Sequence, residues 1–350
     1  MNALELFAGV GGITHGLRDY VVPYAFVEYE KDAAEFLKSK NRPVHGDITK
    51  FDATEYKNKV DIVTAGWPCT GFSTAGKGTG FAHEASGLFT EVVRVVKECE
   101  PRYVFLENSH VVAQQKNLRV VVSELDKLGY DCRWFTCRSN DVHIGAPHQR
   151  YRWFCLAFDR ARGLNIQKMA SRTFDWNSDS PSKQETSNSH ENKRLIKFMG
   201  NSVVPSQVRY AFEQILDMDT TNGKQVTGKE HVLKCGYSTN GTLFEKAYEQ
   251  KTISKVNILL TPRELPEKHN VPSEDNILKT PYSLPFWNTP AFCYHKSAAG
   301  SKVLTKRQKN NLHSQVKFCP GGHMDRYLSG KFCAWLMGYD NEYLDYLVDY

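Results

Sequence analysis

The sequence predicts an α/β fold, with a mostly parallel, doubly wound sheet and a second, smaller domain. Over residues 1–160, short apolar runs typical of buried strands alternate with amphipathic helical patterns. This alternation is typical of βαβ units, which place helices on both faces of a mostly parallel sheet. From about residue 219 the apolar pieces are separated by Pro, Gly and Asn, which indicates a smaller domain rich in loops.

Each element is predicted from its apolar pattern. Short apolar runs predict the strands Ala3–Phe7, Tyr24–Glu28, Asp61–Ala65, Tyr103–Leu106, Arg133–Cys137 and Trp153–Phe158. Apolar residues at helical spacing predict the helices Thr14–Asp19, Lys31–Lys40, Ser86–Cys99, Leu118–Leu128 and Ser206–Leu216. Residues 161–192 are polar and are predicted to form a linker or mobile loop.

The composition excludes several classes of protein. With 350 residues, 41% hydrophobic and 24% charged, the chain is typical of a soluble globular protein of one large or two medium domains. No apolar run approaches the ~20 residues of a membrane span, and no signal peptide is visible. The nine cysteines include no Cys-x-x-Cys pair, which favours neither a metal site nor disulfides and predicts an intracellular, reducing location. A net charge of +6 is a mild bias toward a polyanionic partner.

The segment Gly66–Ser73 places one cysteine on a stiff turn. It follows the apolar run Asp61–Ala65, and Pro68 fixes its own φ and removes a backbone donor. Open α/β sheets place their chemistry at the carboxyl ends of strands, so Cys69 is a candidate nucleophile. The alternative is a buried structural cysteine, as free cysteines often are.

A glycine-rich turn follows the first predicted strand, in the segment Leu6-Phe7-Ala8-Gly9-Val10-Gly11-Gly12. Glycines there let a ligand approach the backbone closely at a helix N-terminus. The spacing is not Gly-x-Gly-x-x-Gly, which weakens a dinucleotide site. The alternative is a plain tight turn between strand and helix.

Two acidic residues follow the next strand signals. Glu28, in Glu28-Tyr29-Glu30, is placed to accept hydrogen bonds from ribose hydroxyls, and the adjacent Tyr29 to stack on a base. Asp47, in Gly46-Asp47-Ile48, is placed to accept from an adenine amino group. The alternatives are solvated charges at a strand end and an ordinary turn aspartate.

Two more charged motifs lie at strand ends. Glu107, in Glu107-Asn108-Ser109, ends a strongly apolar strand. Arg150 and Arg152, in Gln149-Arg150-Tyr151-Arg152, are two residues apart, so on a strand they point the same way and suit a phosphate or a carbonyl oxygen. The alternatives are a structural ion pair for Glu107 and a solvated strand face for the arginines.

These motifs, in this order and spacing, resemble those of the DNA cytosine-5 methyltransferases. The resemblance spans residues 3–158 and resumes at Gly200-Asn201-Ser202-Val203-Val204, which is similar to the last motif of that family. It implies a Rossmann-like S-adenosylmethionine-dependent methyltransferase fold and transfer of a methyl group to C5 of cytosine.

The order of the final motifs departs from the common family pattern. The last motif comes directly after the linker, and the next-to-last is similar to the segments 326–329 and 336–339 at the C-terminus. This order is most similar to the methyltransferases of large algal (chlorella) viruses, which accompany restriction enzymes. In addition, Gln149 lies one place later than in the family, which puts its role in doubt.

The resemblance implies a division of the chain into five parts. They are a catalytic domain over 1–160, the polar linker 161–192, a returning segment of the catalytic domain over 193–216, a target-recognition domain over 219–325 and a C-terminal segment 326–350 that packs back on the catalytic domain.

The resemblance also implies catalytic roles. Cys69 attacks C6 of a flipped-out cytosine, which makes C5 nucleophilic. Glu107 holds N3 and the exocyclic amine, Arg152 binds O2, and Arg150 supports the loop or a phosphate. S-adenosylmethionine is bound by the set Phe7, Gly9, Gly11, Gly12, Glu28, Tyr29, Asp47, Ile48, Pro68, Leu88, Asn201 and Ser202.

Contacts with double-stranded DNA are expected from the loop after Cys69 and from the basic run of residues 296–317. Residues 296–317 are rich in Lys and Arg and contain no Asp or Glu, which suits phosphate contacts. The expected DNA-binding residues are Ser73, Lys77, Lys302, Lys306, Arg307, Lys309 and Gln315. The alternative for the basic run is a solvated face.

Other functions compete with this interpretation. They are a tRNA cytosine-5 methyltransferase of the same fold, an inactive nucleic-acid-binding module and a nicotinamide oxidoreductase, against which the glycine spacing argues. We expect a monomer that needs no metal, a short target site with a G-C core, and a restriction endonuclease that shares the site without having to bind the chain.

Overall fold

The chain forms two compact units. The computed structural model describes residues 1–68, 88–170, 174–176, 181–187, 189–248 and 327–340, with the single residues 287, 312, 316 and 343. Unit 1 comprises Met1–Arg138, Tyr151–Arg172 and Pro205–Gln250, and unit 2 comprises Ser139–Arg150, Thr173–Val204 and Lys251–Tyr350.

The strands and helices are as follows. The strands are β1 (Asn2–Leu6), β2 (Val22–Val27), β3 (Val44–His45), β4 (Ile62–Ala65), β5 (Tyr103–Ser109), β6 (Tyr130–Arg138), β7 (Tyr151–Asp159), β8 (Gln184–Glu185), β9 (Lys224–Gln225), β10 (Cys235–Thr239), β11 (Thr242–Glu245) and β12 (Tyr327–Leu328). The helices are α1 (Gly12–Gly16), α2 (Lys31–Lys38), α3 (Leu88–Cys99), α4 (Gln115–Lys127), α5 (His190–Asn201), α6 (Pro205–Leu216) and α7 (Gly330–Leu336). None of the helices described is long and apolar enough to cross a membrane.

Unit 1 is built on one large mixed sheet, with the strand order β3-β2-β1-β4-β5-β7-β6-β10-β11-β9. The strands from β3 to β5 pair in parallel, and from β5 onward each strand pairs antiparallel with its neighbour. Each of the six predicted strands coincides with a strand of this sheet, and the parallel, doubly wound part lies where βαβ units were predicted.

Helices cover both faces of the sheet, and β5 shows how. Val104 and Leu106 belong to the core that includes the buried residues of α3 and α4. Phe105, which points to the other face, contacts Phe212 of α6 with ring centroids 5.3 Å apart. The strand is buried on both faces, which explains its continuous apolar run.

The predicted domain boundaries differ from the observed units in three places. Residues 224–245 add β9, β10 and β11 to the sheet of unit 1, so no boundary falls at residue 219. Residues 139–150 leave unit 1 between β6 and β7, and the returning segment 193–216 divides between α5 in unit 2 and α6 in unit 1. Composition did not reveal these additions, because β9 to β11 are short and interrupted by Gly and Asn.

The C-terminal residues of unit 2 pack on residues of the predicted linker and on α5. β12 pairs antiparallel with β8. The amide of Asn192 on α5 donates to Leu328 O at 2.9 Å and accepts from Gly330 N at 2.6 Å. Trp176 Nε1 donates to Trp335 O at 3.1 Å. The described residues of 174–192 are therefore paired and packed within unit 2, while the described residues 161–170 belong to unit 1.

A close contact in unit 1 joins α1 to α6. A Cβ added to Gly16 would lie 2.7 Å from Pro205 O and 3.0 Å from Val208 Cβ. Below this contact, the buried Arg209 donates to Glu213 at 2.8 Å and pairs with Asp19. α6 is thus fixed directly against the helix that follows the glycine-rich turn.

We predict that Gly16→Ala separates α1 from α6, because the added methyl meets backbone and branched side-chain atoms that have no room to move. The free energy of unfolding should fall by about 1–3 kcal/mol, as is typical of overpacking, when measured by urea denaturation. Gly46→Ala is the matched control, since a Cβ there meets nothing within 4 Å. Equal stability of the two variants would contradict the close contact.

Candidate active site

The parallel strands of unit 1 end at one level. Leu6 pairs with Val27 and with Ala65, and Ala65 pairs with Leu106. The next residue of each strand segment is therefore at the same edge of the sheet. These residues are Phe7, Glu28, Gly66 and Glu107, so the register brings four of the sequence motifs into one row.

The glycine-rich turn after β1 has left-handed backbone at three positions. Phe7 has φ 52°, Gly9 φ 56° and Gly11 φ 75°. Such φ values are uncommon for a phenylalanine and ordinary for glycine. A Cβ on Gly9 would meet nothing within 4 Å, so the turn borders open space.

Glu5, on β1, holds this turn in place, and the sequence motifs did not predict it. Its carboxylate, 1% exposed, accepts from Ile13 N at 3.0 Å, Thr14 N at 3.1 Å and Thr14 Oγ1 at 2.6 Å. Burial raises the pKa of Glu5 to about 7, more than these hydrogen bonds lower it. A glutamate between leucines in an otherwise apolar strand is the signal that identifies it.

Glu28 joins the end of β2 to the same turn. One carboxylate oxygen accepts from Gly9 N at 2.7 Å and the other from Glu30 N at 2.7 Å. Burial raises the pKa of Glu28 above its ordinary value. The adjacent Tyr29 is 81% exposed, so its ring is available to a flat ligand.

The next predicted cofactor residues begin a short 3-10 helix, Ile48–Lys50. Asp47 caps it by accepting from Thr49 N at 3.0 Å and Thr49 Oγ1 at 2.8 Å, and the hydroxyl bond lowers the pKa of Asp47. Ile48 is buried, and its carbonyl accepts from Arg94 of α3 at 2.7 Å. Leu88, at the start of α3, packs against the same core.

Glu107, on β5, is the charged group at the end of the row that lies next to β7. It is 7% exposed, and its Oε1 lies 2.9 Å from Nε of Arg152 on β7. A Cβ on Gly66 would lie 3.1 Å from Glu107 Oε2, so Gly66 leaves room for this carboxylate. Asn108 Nδ2 donates to Trp67 O at 3.0 Å and fixes the start of the turn that leads through the exposed Pro68 toward residue 69.

Arg150 and Arg152 have different partners, although the sequence predicted two arginines on one face. Arg152 pairs with Glu107 in unit 1. Arg150 precedes β7, belongs to unit 2 and donates to Ser202 O at 2.6 Å. Ser202 is buried and its hydroxyl contacts Tyr339 Oη, while Asn201 is exposed at the end of α5.

A further row of side chains lies at the same end of the sheet and was not predicted. The His110 ring stacks on Tyr151, with centroids 4.5 Å apart and planes 21° apart. The Arg138 guanidinium carbon lies 4.3 Å from the Tyr151 centroid. The sequence separates these residues by more than a dozen positions, so only the strand register reveals the row.

Several predicted site residues lie outside the described residues. They are Cys69, Ser73, Lys77, Lys302, Lys306, Arg307, Lys309 and Gln315. Within the described part of the chain, no three side chains of the metal-ligating types form a metal site.

Comparison with known proteins decides the family. Residues 1–346 match the family model of the C-5 cytosine-specific DNA methylases. The chain belongs to this family. Its membership confirms the predicted family, the methyltransferase α/β fold and the enzyme class, a DNA cytosine-5 methyltransferase.

Among its relatives within the C-5 cytosine-specific DNA methylases, one matches over its full length. The chain is 43% identical over 368 aligned residues to the type II methyltransferase M.CviJI of Paramecium bursaria Chlorella virus IL3A, covering 100% of this chain and 99% of the viral protein. It is 33% identical over 170 residues to M.BsuFI of Bacillus subtilis, covering 47% and 41% of the two chains. For M.Eco47II of Escherichia coli the identity is 36% over 177 residues, covering 47% and 42%.

We predict that Glu5 makes stability depend on pH. Because its pKa is higher in the folded state than in the unfolded chain, the stability it contributes is fully present below about pH 4.5 and is lost as pH rises through about 7. Glutamine does not titrate. Between pH 4.5 and 8, the free energy of unfolding of the wild type should therefore fall by about 3 kcal/mol relative to Glu5→Gln. Urea denaturation at both pH values measures this difference, and parallel pH profiles would contradict the assignment.

Proposed function

We propose that this DNA cytosine-5 methyltransferase uses Cys69 as its nucleophile on a cytosine flipped out of a short double-stranded site. The observation that carries the proposal is the Glu107–Arg152 pair, which lies in the same row as Gly66, three residues before Cys69. Glu107 and Arg152 offer a carboxylate and a guanidinium, the two groups that recognise the edge of a cytosine.

The turn after β1 and the end of β2 fit S-adenosylmethionine. Gly9 borders open space, Glu28 offers a carboxylate at the level of the turn, and the Tyr29 ring is exposed. We assign Phe7, Gly9, Gly11, Gly12, Glu28, Tyr29, Asp47 and Ile48 to cofactor binding, with Pro68, Leu88, Asn201 and Ser202 closing the methionine end. S-adenosylmethionine, when bound, supplies the methyl group.

The chain's own residues activate the base. The Cys69 thiolate forms a bond to C6, and the electron pair of the C5–C6 double bond becomes available at C5. Glu107 holds N3 and the exocyclic amine and delivers a proton as negative charge develops at N3. Arg152 binds O2, while its ion pair with Glu107 holds both groups in position before the base arrives.

Completion of the reaction regenerates the enzyme. Once C5 carries the methyl group, a base removes the proton from C5. The C5–C6 double bond then forms again, and the bond from C6 to Sγ of Cys69 breaks. The released thiolate is ready for another turnover. Arg150, which donates to Ser202 O, supports the neighbouring loop in this scheme.

Target recognition is assigned to the residues between β11 and β12. With residues 224–245 in the sheet of unit 1, the proposed recognition region narrows from 219–325 to about 249–325. Its basic run suits phosphate contacts, with Lys302, Lys306, Arg307, Lys309 and Gln315 joined by Ser73 and Lys77 beside the nucleophile. The full-length similarity to a type II methyltransferase of a chlorella virus supports a modification enzyme of a restriction-modification system.

We predict that Cys69→Ala abolishes methyl transfer and leaves the affinity for S-adenosylmethionine nearly unchanged, since the thiol acts on the base. Transfer of a labelled methyl group to duplex DNA and calorimetric cofactor binding measure the two effects. Cys235→Ala is the matched control, because burial raises the pKa of that thiol to about 12 and keeps it protonated. Substantial turnover by Cys69→Ala would exclude the covalent mechanism. Methyl transfer to tRNA and not to DNA would exclude DNA as the substrate.

We predict that Lys306→Glu combined with Arg307→Glu weakens DNA binding across sequences and flattens its dependence on salt, because phosphate contacts release counterions. Binding of S-adenosylmethionine should be unchanged. Titrations of labelled duplex at several salt concentrations measure the slope. An unchanged affinity and slope would mean that the basic run is a solvated face and that DNA is read elsewhere.

A further inference from the structure

The Arg138–Tyr151–His110 row spans three neighbouring strand segments. Arg138, at the end of β6, pairs directly with Tyr151 at the start of β7. His110 comes directly after Ser109, which ends β5 and pairs with Arg152. Tyr151 therefore lies on the central strand, with the imidazole and the guanidinium against its ring. The ring fixes both groups in place, since a cation and a flat heterocycle each stack well on an aromatic face.

Arg138 gives the row a positive charge that no carboxylate of the described residues matches. Burial, together with the charges of Arg152 and Arg138, lowers the pKa of His110. Arg138 forms no ion pair with any carboxylate of the described residues, and the nearby Glu107 is already paired with Arg152. Like charges held close together repel, so an anion at this position would relieve the repulsion.

The row lies beside the Glu107–Arg152 pair, on the other face of the sheet. Residues paired across strands share a face, and successive residues of a strand alternate between faces. Glu107, Ser109 and Arg152 thus point to one face of the sheet, while Tyr151 and Arg138 point to the other. All of them are at the edge where β5 ends, so the substrate strand that presents a base to Glu107 passes close to the row.

We propose that the Arg138–Tyr151–His110 row binds a backbone phosphate of the DNA substrate next to the flipped-out cytosine. The inference rests on the proposed function, which brings DNA to this edge. A phosphate fits better than a base, because His110 and Arg138 already stack on the Tyr151 ring that a base would need. Guanidinium and imidazolium groups donate strong charge-assisted hydrogen bonds to phosphate oxygens.

The proposal is tested by DNA binding alone, with a fluorescent duplex titrated at several salt concentrations. Arg138→Gln should weaken binding across sequences and lower the slope of log affinity against log salt by about 0.9, as expected for one lost phosphate contact. Arg138→Lys should keep most of the slope, because an ammonium also binds phosphate. Lys97→Gln is the control, since it removes one exposed cation at the end of α3 that precedes β5, at the opposite edge of the sheet.

His110 supplies an independent measurement. A phosphate beside the imidazole favours its protonated form, so the affinity of the wild type for duplex should fall from pH 6 to pH 8 more steeply than that of His110→Gln. The groups that face this ring are Arg138 from β6, and Tyr151 and Arg152 from β7 with Glu107 beyond the arginine. If the duplex affinities of the wild type and of His110→Gln depend equally on pH, His110 is not part of the phosphate site.

The outcomes separate this inference from the proposed reaction. If Arg138→Gln and Lys97→Gln have the same slope of log affinity against log salt while the wild type methylates DNA, the row binds no phosphate and the proposed reaction is unaffected. If the wild type binds duplex with the expected slope difference and yet transfers no methyl group, the reaction is wrong and the phosphate site stands. Thermal unfolding of each variant shows that the comparison is made between folded proteins.

Discussion

The site depends on the common level at which the parallel strands end. The pairings of Leu6 with Val27 and Ala65, and of Ala65 with Leu106, place Phe7, Glu28, Gly66 and Glu107 side by side. A shift of one residue in any of these registers would turn the following side chain to the other face of the sheet. Apolar contacts on both faces of β4 and β5 specify the register, so the hydrophobic core sets the geometry of the polar groups at its edge.

Carboxylates in or next to the strands hold this edge together. Glu5 on β1 binds the first turn of α1, and Glu28 after β2 binds Gly9, so the glycine-rich turn is attached to its own strand and to the neighbouring strand. Burial raises the pKa of both groups. Glu107 is held differently, by the guanidinium of Arg152. Local stability and the proposed cofactor site therefore depend on the same few side chains.

The sequence revealed the parallel half of the fold and most of the row, because both follow from local signals. An apolar run followed by a polar or glycine residue predicts a strand end, and Phe7, Glu28 and Glu107 were found in this way. The sequence did not reveal the features that arise only from pairing between distant segments of the chain. Examples are the addition of β10 beside β6, the separate partners of Arg150 and Arg152, and the stacking of His110 on Tyr151. Glu5 was missed because its partners, Ile13 and Thr14, lie in another element.

The position of β9, β10 and β11 has a consequence for how enzymes of this kind diversify. These strands join the large sheet before the chain enters the region to which we assign target recognition, and the next named strand along the chain, β12, pairs with β8. Among the described residues, the stretch between β11 and β12 adds no strand to the large sheet. If that stretch reads the target, as proposed, its exchange between related genes would leave the strand pairings at the row of Phe7, Glu28, Gly66 and Glu107 unchanged. New sequence specificities can then arise on an inherited catalytic sheet.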